Sequence, residues 1–267
     1  IVLAALLYFL GKDPGMGVFD TEAEQKVRLQ PKGKFLTDLQ DIIKIKGFLY
    51  ICMGTAIAGM VGYGYGIWAP TFMVRNFDMT LAHAGLSFGL ASGIFAAIGS
   101  MYSGYYCDKL CQKDTRWQLR MPVIGVLLSI PFGYGFLFWP TDAIWLLGDI
   151  KIPHAIVFAA GFSFFNSWWP TLAFAAVSKL VNSKQRATSI AMLSLFLTLF
   201  GAGIGPLLTG TFSDIFSQTD AGDGLQYAIL LMLVTLVLSA LFYYKAIAPY
   251  HKHMTEISAN EQLAAQN

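Results

Sequence analysis

Charged side chains gather in short clusters along this chain, leaving six long stretches without Asp, Glu, Lys or Arg. These are residues 47–74, 79–107, 121–141, 152–178, 187–213 and 225–244. Each reaches the roughly 20 residues a helix needs to cross the hydrocarbon of a bilayer. The pattern predicts an all-α integral membrane protein with six transmembrane helices. A seventh apolar stretch, residues 1–10, is too short to span and has no basic n-region or small-residue cleavage site. It is expected to be the end of a truncated transmembrane helix and not a signal peptide.

Two short patterns recur in the same order. Trp68-Ala69-Pro70-Thr71 returns as Trp168-Trp169-Pro170-Thr171, and Ser103-Gly104-x-x-x-Asp108 returns as Thr209-Gly210-x-x-x-Asp214. In both copies the first pattern lies inside one apolar stretch and the second closes the next. With three crossings per copy, the expected architecture is a pair of inverted three-helix repeats, the construction of secondary transporters.

Residues 11–46 then form a central loop, 47–244 the six-helix domain and 245–267 a tail. Within the loop, Phe35, Leu36, Leu39, Ile42 and Ile43 recur at helical spacing. They predict a short helix that either lies in the membrane interface or extends the first crossing.

Composition agrees with the pattern. Hydrophobic residues make up 55% and charged residues 13%, with mean hydropathy +0.55, whereas soluble domains carry about a quarter charged residues. Of 18 Lys and Arg, only Arg75 and Lys151 fall on one side of the six crossings. The positive-inside rule then places the segment before Gly47 and the C-terminus in the cytoplasm of a multi-pass protein of the cell membrane. The net charge of +2 marks topology and gives no reason to expect nucleic acid. Cys52, Cys107 and Cys111 suggest neither a disulfide nor a metal site, and nothing calls for a cofactor.

Small residues recur every fourth position at Gly54, Ala58, Gly62 and Gly66, and again at Gly85, Gly89, Gly93 and Ala97. Such stripes let helix backbones approach closely in lipid, where no hydrophobic force drives helices together. Asp108 closes the second crossing beside Lys109. An acid at a helix C-terminus faces the negative end of the dipole and needs a cation or a helix N-terminus as partner. Lys109, Arg116 and Lys179 are candidates, as is a helix in another domain. A partner on a moving domain would make the pair a latch.

Gly104-Tyr-Tyr-Cys-Asp108-Lys109-Leu-Cys-Gln-Lys113 resembles the G-x-x-x-D-R/K-x-G-R/K-R/K loop motif of the major facilitator superfamily, in its weaker second copy. Arg186 leading into Gly201-Ala-Gly203-Ile-Gly205-Pro206 and Gly210 is similar to that family's eleventh helix, and Leu10-Gly-Lys-Asp-Pro14 to the exit from its sixth. More narrowly, residues 64–75 with Asp108-Lys-Leu and Lys113-Asp-Thr-Arg116-Trp117 resemble the spinster-like branch. The resemblance implies a symporter or antiporter of twelve helices of which this chain is helices seven to twelve. The amino-terminal six-helix half would be its partner, and Gly104, Asp108, Lys109, Arg116 and Arg186 its gating residues.

None of the six crossings contains an acid or a cation, the usual mark of ion coupling. His83 and His154 sit near helix ends, where interfacial histidines are expected. A coupled proton or sodium ion is therefore expected to use the absent half. What these crossings offer is aromatic. Tyr63, Tyr65 and Trp68 surround glycines in the first, and Phe162, Phe165, Asn166 and Trp169 share one face of the fourth at i, i+3, i+4 and i+7. Pro70 and Pro170 free carbonyls in these same helices, which is tolerated where a helix lines a cavity.

The expected activity is alternating-access transport of a small amphiphilic, organic-anion-like or lipid-like solute across the bilayer. Two alternatives stand beside it. One is a six-helix channel or half-transporter working as a homodimer. The other is a membrane enzyme, although neither His-Glu-x-x-His nor Gly-x-Ser-x-Gly occurs.

Overall fold

A computed structural model describes residues 35–147, 150–218 and 223–266. The expected helix end at residues 1–10 and the central loop through residue 34 lie outside the described residues. The described residues are mainly helical, with one small hairpin among them. In order come α1 (Phe35–Lys44), α2 (Lys46–Phe77), α3 (Leu81–Cys111), α4 (Trp117–Phe138), β1 (Ile144–Leu147), β2 (Ile150–Pro153), α5 (Ile156–Asn166) and α6 (Trp168–Lys179). After α7 (Arg186–Phe196) a π-helical segment, Leu197–Ile204, leads into α8 (Gly205–Ser217), and α9 (Gly224–Gln266) ends the fold.

Among the described residues five helices are long and apolar enough to span a bilayer: α2, α3, α4, Arg186–Ser217 taken through its π segment, and the Gly224–Ile257 part of α9. The stretch at 152–178, expected as one crossing, divides differently. Ile152 and Pro153 belong to β2, which pairs antiparallel with β1 through Ile144–Pro153 and Trp145–Ile152. The remainder is two helices of 11 and 12 residues that meet at Ser167.

Contacts between loops show that the chain passes back and forth between two ends, with α5 and α6 running in one direction and α7 and α8 in the other. At one end Thr115 Oγ1 is hydrogen-bonded to His251 Nδ1 at 2.7 Å, His253 Nε2 donates to the Leu180 carbonyl at 3.0 Å, and Gln185 Nε2 donates to Asp38 at 3.2 Å. This gathers α1, the α3–α4 loop, the α6–α7 loop and the far part of α9. At the other end Asn76 Nδ2 donates to Asp223 at 2.6 Å, Lys151 lies 3.5 Å from Asp78, and Gln226 Nε2 donates to the Leu137 carbonyl. The basic loops thus share one end while Arg75 and Lys151 occupy the opposite end. Asp108 and Asp214 are likewise separated, one closing α3 at the basic end and the other near the end of α8 at the far one.

Glycines decide where helices touch. Gly54 lies against the Tyr243 ring of α9, and the same contact is tied by Thr55 Oγ1 to Tyr243 OH (2.9 Å) and by Ser239 Oγ donating to the Gly54 carbonyl (2.7 Å). Gly85, Gly89 and Gly93 of α3 meet nothing within 4 Å. Around them Leu86, Leu90, Ile94 and Met101 are exposed, so this glycine stripe lies on a face that no other described helix covers.

Candidate functional site: two broken helices around the glycines of α2

Pro170 is the third residue of α6 and has no N–H, so the Asn166 carbonyl loses its helical partner and α5 stops there. Ser167 Oγ turns back and donates to the Phe164 carbonyl at 2.8 Å. Neighbouring helices close on the break through residues without side chains. A Cβ on Gly99 of α3 would run into the Phe164 carbonyl oxygen, and one on Gly125 of α4 would lie 2.8 Å from the Phe165 carbonyl oxygen.

The second irregularity is the π segment Leu197–Ile204, whose wide turns loosen the helix just before Gly205 and Pro206. It passes so close to α2 that a Cβ on Gly205 would collide with the Met60 carbonyl.

Both irregularities meet α2 in the same region. A Cβ on Gly59 would strike the Leu197 side chain and come within 3.6 Å of both Gly201 Cα and Trp169 Cη2. One on Gly62 would lie 3.1 Å from Asn166 Nδ2, and one on Gly201 3.2 Å from the Tyr63 ring. Tyr63 is 43% exposed, while Trp169 is 5% exposed. Among the described residues, Asn166 Oδ1 and Trp169 Nε1 are buried without a hydrogen-bond partner. Each such atom costs about 1–3 kcal/mol. An unmet acceptor and an unmet donor therefore sit behind an exposed tyrosine at the junction of α2, the α5–α6 break and the π segment.

The remaining aromatic candidates go elsewhere. Tyr65 is two residues beyond Tyr63 and so points to another side of α2. It is buried, with its ring 4.1 Å from Phe162 and close to Phe88 and Phe136. Phe165 packs instead on Phe132, Phe164 and Trp168. Trp68 Nε1 donates to the Pro206 carbonyl at 2.9 Å, tying α2 to α8. Of the face expected from Phe162 to Trp169, Phe162 and Phe165 pack toward different neighbours within α5, and only Trp169 lies beyond the interruption at Ser167.

Leu197, Gly59 and Gly201 were not singled out as site residues from sequence. The Gly201-Ala-Gly203-Ile-Gly205-Pro206 run was the signal that could have found them.

At the basic end Asp108 and Lys109 are exposed, and a Cβ on Gly104 would meet open space. Two of the cations suggested as partners are engaged elsewhere: Arg116 Nε lies 3.9 Å from Asp114, and Lys179 Nζ donates to Gln118 Oε1 at 3.0 Å. Asp108 has no ion pair among the described residues. Arg186 opens α7 at the same end.

Asp114 carries the local electrostatics of the α3–α4 loop. The Arg116 backbone N–H donates to it at 2.9 Å and Arg120 Nη1 lies at 3.1 Å, and together they hold its carboxyl below the usual carboxylate range. A carboxyl depressed on folding stabilises the fold above its unfolded pKa of about 4, and the contribution disappears as pH falls through the folded value. Protection of residues 112–118 against hydrogen exchange is therefore expected to be flat from neutral pH to about 5 and to fall below about 4. Asp114→Asn should show the low protection at every pH. Equal protection at neutral pH in both proteins would contradict this.

Alternating apolar helices, two of them interrupted around a buried amide and indole, define a multi-pass integral membrane protein. Residues 1–177 match the model of the Major Facilitator Superfamily. An MFS-type efflux pump of Mycolicibacterium smegmatis is 30% identical over 217 residues, which is 81% of this chain and 48% of the pump. Two crystal structures of a bacterial homolog of the human lysosomal transporter Spinster share the fold at 20% identity. The inward-facing unoccupied form has a TM-score of 0.66 over 95% of this chain and 57% of its own, and the inward-facing occupied form 0.59 over 95% and 56%. The chain belongs to the major facilitator superfamily, a family of membrane transporters and not of enzymes. It spans about half the length of the relatives it matches.

Proposed function

We propose that this chain is one half of an alternating-access secondary transporter for a small amphiphilic solute, with Tyr63, Asn166 and Trp169 contacting the solute. The observation that carries the reading is the pair of buried, unpartnered atoms, Asn166 Oδ1 and Trp169 Nε1, at the junction of two broken helices. Broken helices are tolerated in a bilayer where they line a cavity, and substrate sites of secondary transporters lie at such discontinuities near the midplane. One acceptor and one donor amid aromatic carbon suit a solute with a large apolar body and few polar groups. Tyr65, Phe162, Phe165 and Trp68 stand behind these three as packing.

The α5–α6 pair would complete a sixth crossing, and the separation of Asp108 from Asp214 supports two inverted repeats. The open glycine face of α3 would receive an amino-terminal six-helix half, which the greater length of the relatives supports over a homodimer. The basic end would be cytoplasmic, and Asp108, with Gly104 and Lys109 beside it, would latch that side against the other half. The spinster-like branch remains the narrower proposal, resting on residues 64–75 and 108–117. No acid or cation lies in the predicted crossings, so a coupling proton or sodium ion would bind in the other half.

Full-length protein in proteoliposomes should carry a fluorescent amphiphile saturably and leave glucose behind. Asn166→Ala is expected to raise the half-saturation concentration about tenfold, the equivalent of one lost hydrogen bond in a dry site. Glucose flux matching the amphiphile's would overturn the solute class. Unchanged half-saturation would remove Asn166 from the site.

A further inference from the structure

The start of α4 and the far part of α9 enclose a cleft of about 460 Å³ at the basic end, away from the glycines of α2. Arg116 and Arg120, one turn apart, supply its α4 wall. Tyr244, Lys245, His251 and Lys252 supply the other, since residues i, i+1, i+7 and i+8 lie on one side of a helix. Two acids temper the charge. Asp114 faces both arginines, at 3.9 and 3.1 Å, and Glu256 lies 3.9 Å from Lys252. Lys245 has no ion pair among the described residues, so the cleft keeps a surplus of positive charge.

Directly below the cations the two helices turn apolar on the same sides. On α4, Arg120 is followed one and two turns on by exposed Ile124 and Leu127; on α9, Lys245 is preceded one and two turns back by exposed Leu241 and Leu238. Tyr244, 65% exposed, stands at the boundary between the two zones, the level at which tyrosines settle in a bilayer. A free anion would use only the upper zone. A phospholipid would use both, its phosphate among the cations and its acyl chains along the apolar flanks. Basic pockets between membrane helices are suited to anionic headgroups.

We propose that this α4–α9 cleft is a binding site for an anionic phospholipid, held by Arg116, Arg120, Lys245 and Lys252. The site lies outside the proposed solute pathway. An occupant would bridge the α3–α4 loop to α9, adding to the Thr115–His251 hydrogen bond already there.

Native mass spectrometry of the purified full-length protein tests it, with phosphatidylglycerol, phosphatidylcholine of identical chains, and inorganic phosphate as probes. Phosphatidylglycerol is expected to load at about tenfold lower concentration than phosphatidylcholine. That preference should fall to near parity in both Arg116→Gln/Arg120→Gln and Lys245→Gln/Lys252→Gln. Parity in the unaltered protein would overturn the proposal, as would a preference that survives both double substitutions. Displacement of phosphatidylglycerol by inorganic phosphate at equal concentration would assign the cleft to free anions and overturn it as well. Should the arginine pair prove necessary for folding, the lysine pair on the exposed face of α9 decides alone, and a preference retained there sinks the lipid site.

Discussion

Gly99→Ala is expected to lower the melting temperature of the detergent-solubilised protein more than any other single-methyl change in α3. A Cβ at this position meets the Phe164 carbonyl oxygen, and Ser167 Oγ stands 2.5 Å away. Neither neighbour is the yielding tip of a long side chain, so α3 and the α5–α6 break must move apart. Overpacking of this sort costs about 1–3 kcal/mol. The comparison is Gly93→Ala on the same helix, where a methyl group meets open space and a helix interior gains about 0.5–1 kcal/mol over glycine. Opposite signs are the expected result, read as thermal shifts side by side. Equal shifts would mean that the break does not depend on close approach by α3.

Asp108→Asn is expected to slow turnover of the full-length transporter about tenfold while leaving solute affinity within about twofold. The Asp108 side chain stands isolated among the described residues. It is exposed at the last turn of α3, where the helix dipole disfavours it, and Arg116 and Lys179 are both committed to other groups. Asp108 has no ion pair among the described residues, so a partner on the other half would add a charge-assisted hydrogen bond worth about 1.5–3 kcal/mol. Losing it shifts the balance between two conformations without touching the solute. Stopped-flow substrate binding together with proteoliposome flux separates the two quantities. An unchanged flux would take the latch out of the mechanism, and an equal loss of affinity would show that Asp108 acts on the solute pocket.

Helix positions were legible because absence of charge over 20 residues has one common cause, and the two-sided distribution of Lys and Arg then ordered the ends. Three features were not legible. The interruption at Ser167 depends on Pro170 together with glycines 99 and 125, which sit on two other helices, so no local pattern announces it. The hairpin strands Ile144–Leu147 and Ile150–Pro153 are four residues each, too short for a strand pattern to declare itself, and freedom from charge alone assigned Ile152 and Pro153 to the next crossing. The single aromatic face was drawn from 3.6-residue periodicity, and periodicity fails wherever a helix does. Asn166 stands out in the sequence because an uncharged polar group in a long apolar run is itself the signal, and its Oδ1 is buried without a hydrogen-bond partner. Its neighbours Leu197 and Gly201 belong to a segment whose π geometry follows from packing against α2.

From Gly224 to His251 the last helix runs about 40 Å at 1.5 Å per residue. Its first turn is pinned by Asp223, which also holds Asn76, and its far side is clasped by Thr115. With the near end as pivot, a tilt of about 5° would sweep His251 through roughly 3.5 Å, far beyond the reach of a 2.7 Å hydrogen bond. If the helix tilted so during an alternating-access cycle, either that bond would break each time, or the helix would work as a lever arm that drags the α3–α4 loop with it. In the second case Asp108 rides on the same lever, and small excursions at one membrane surface are magnified into the making and breaking of contacts at the other.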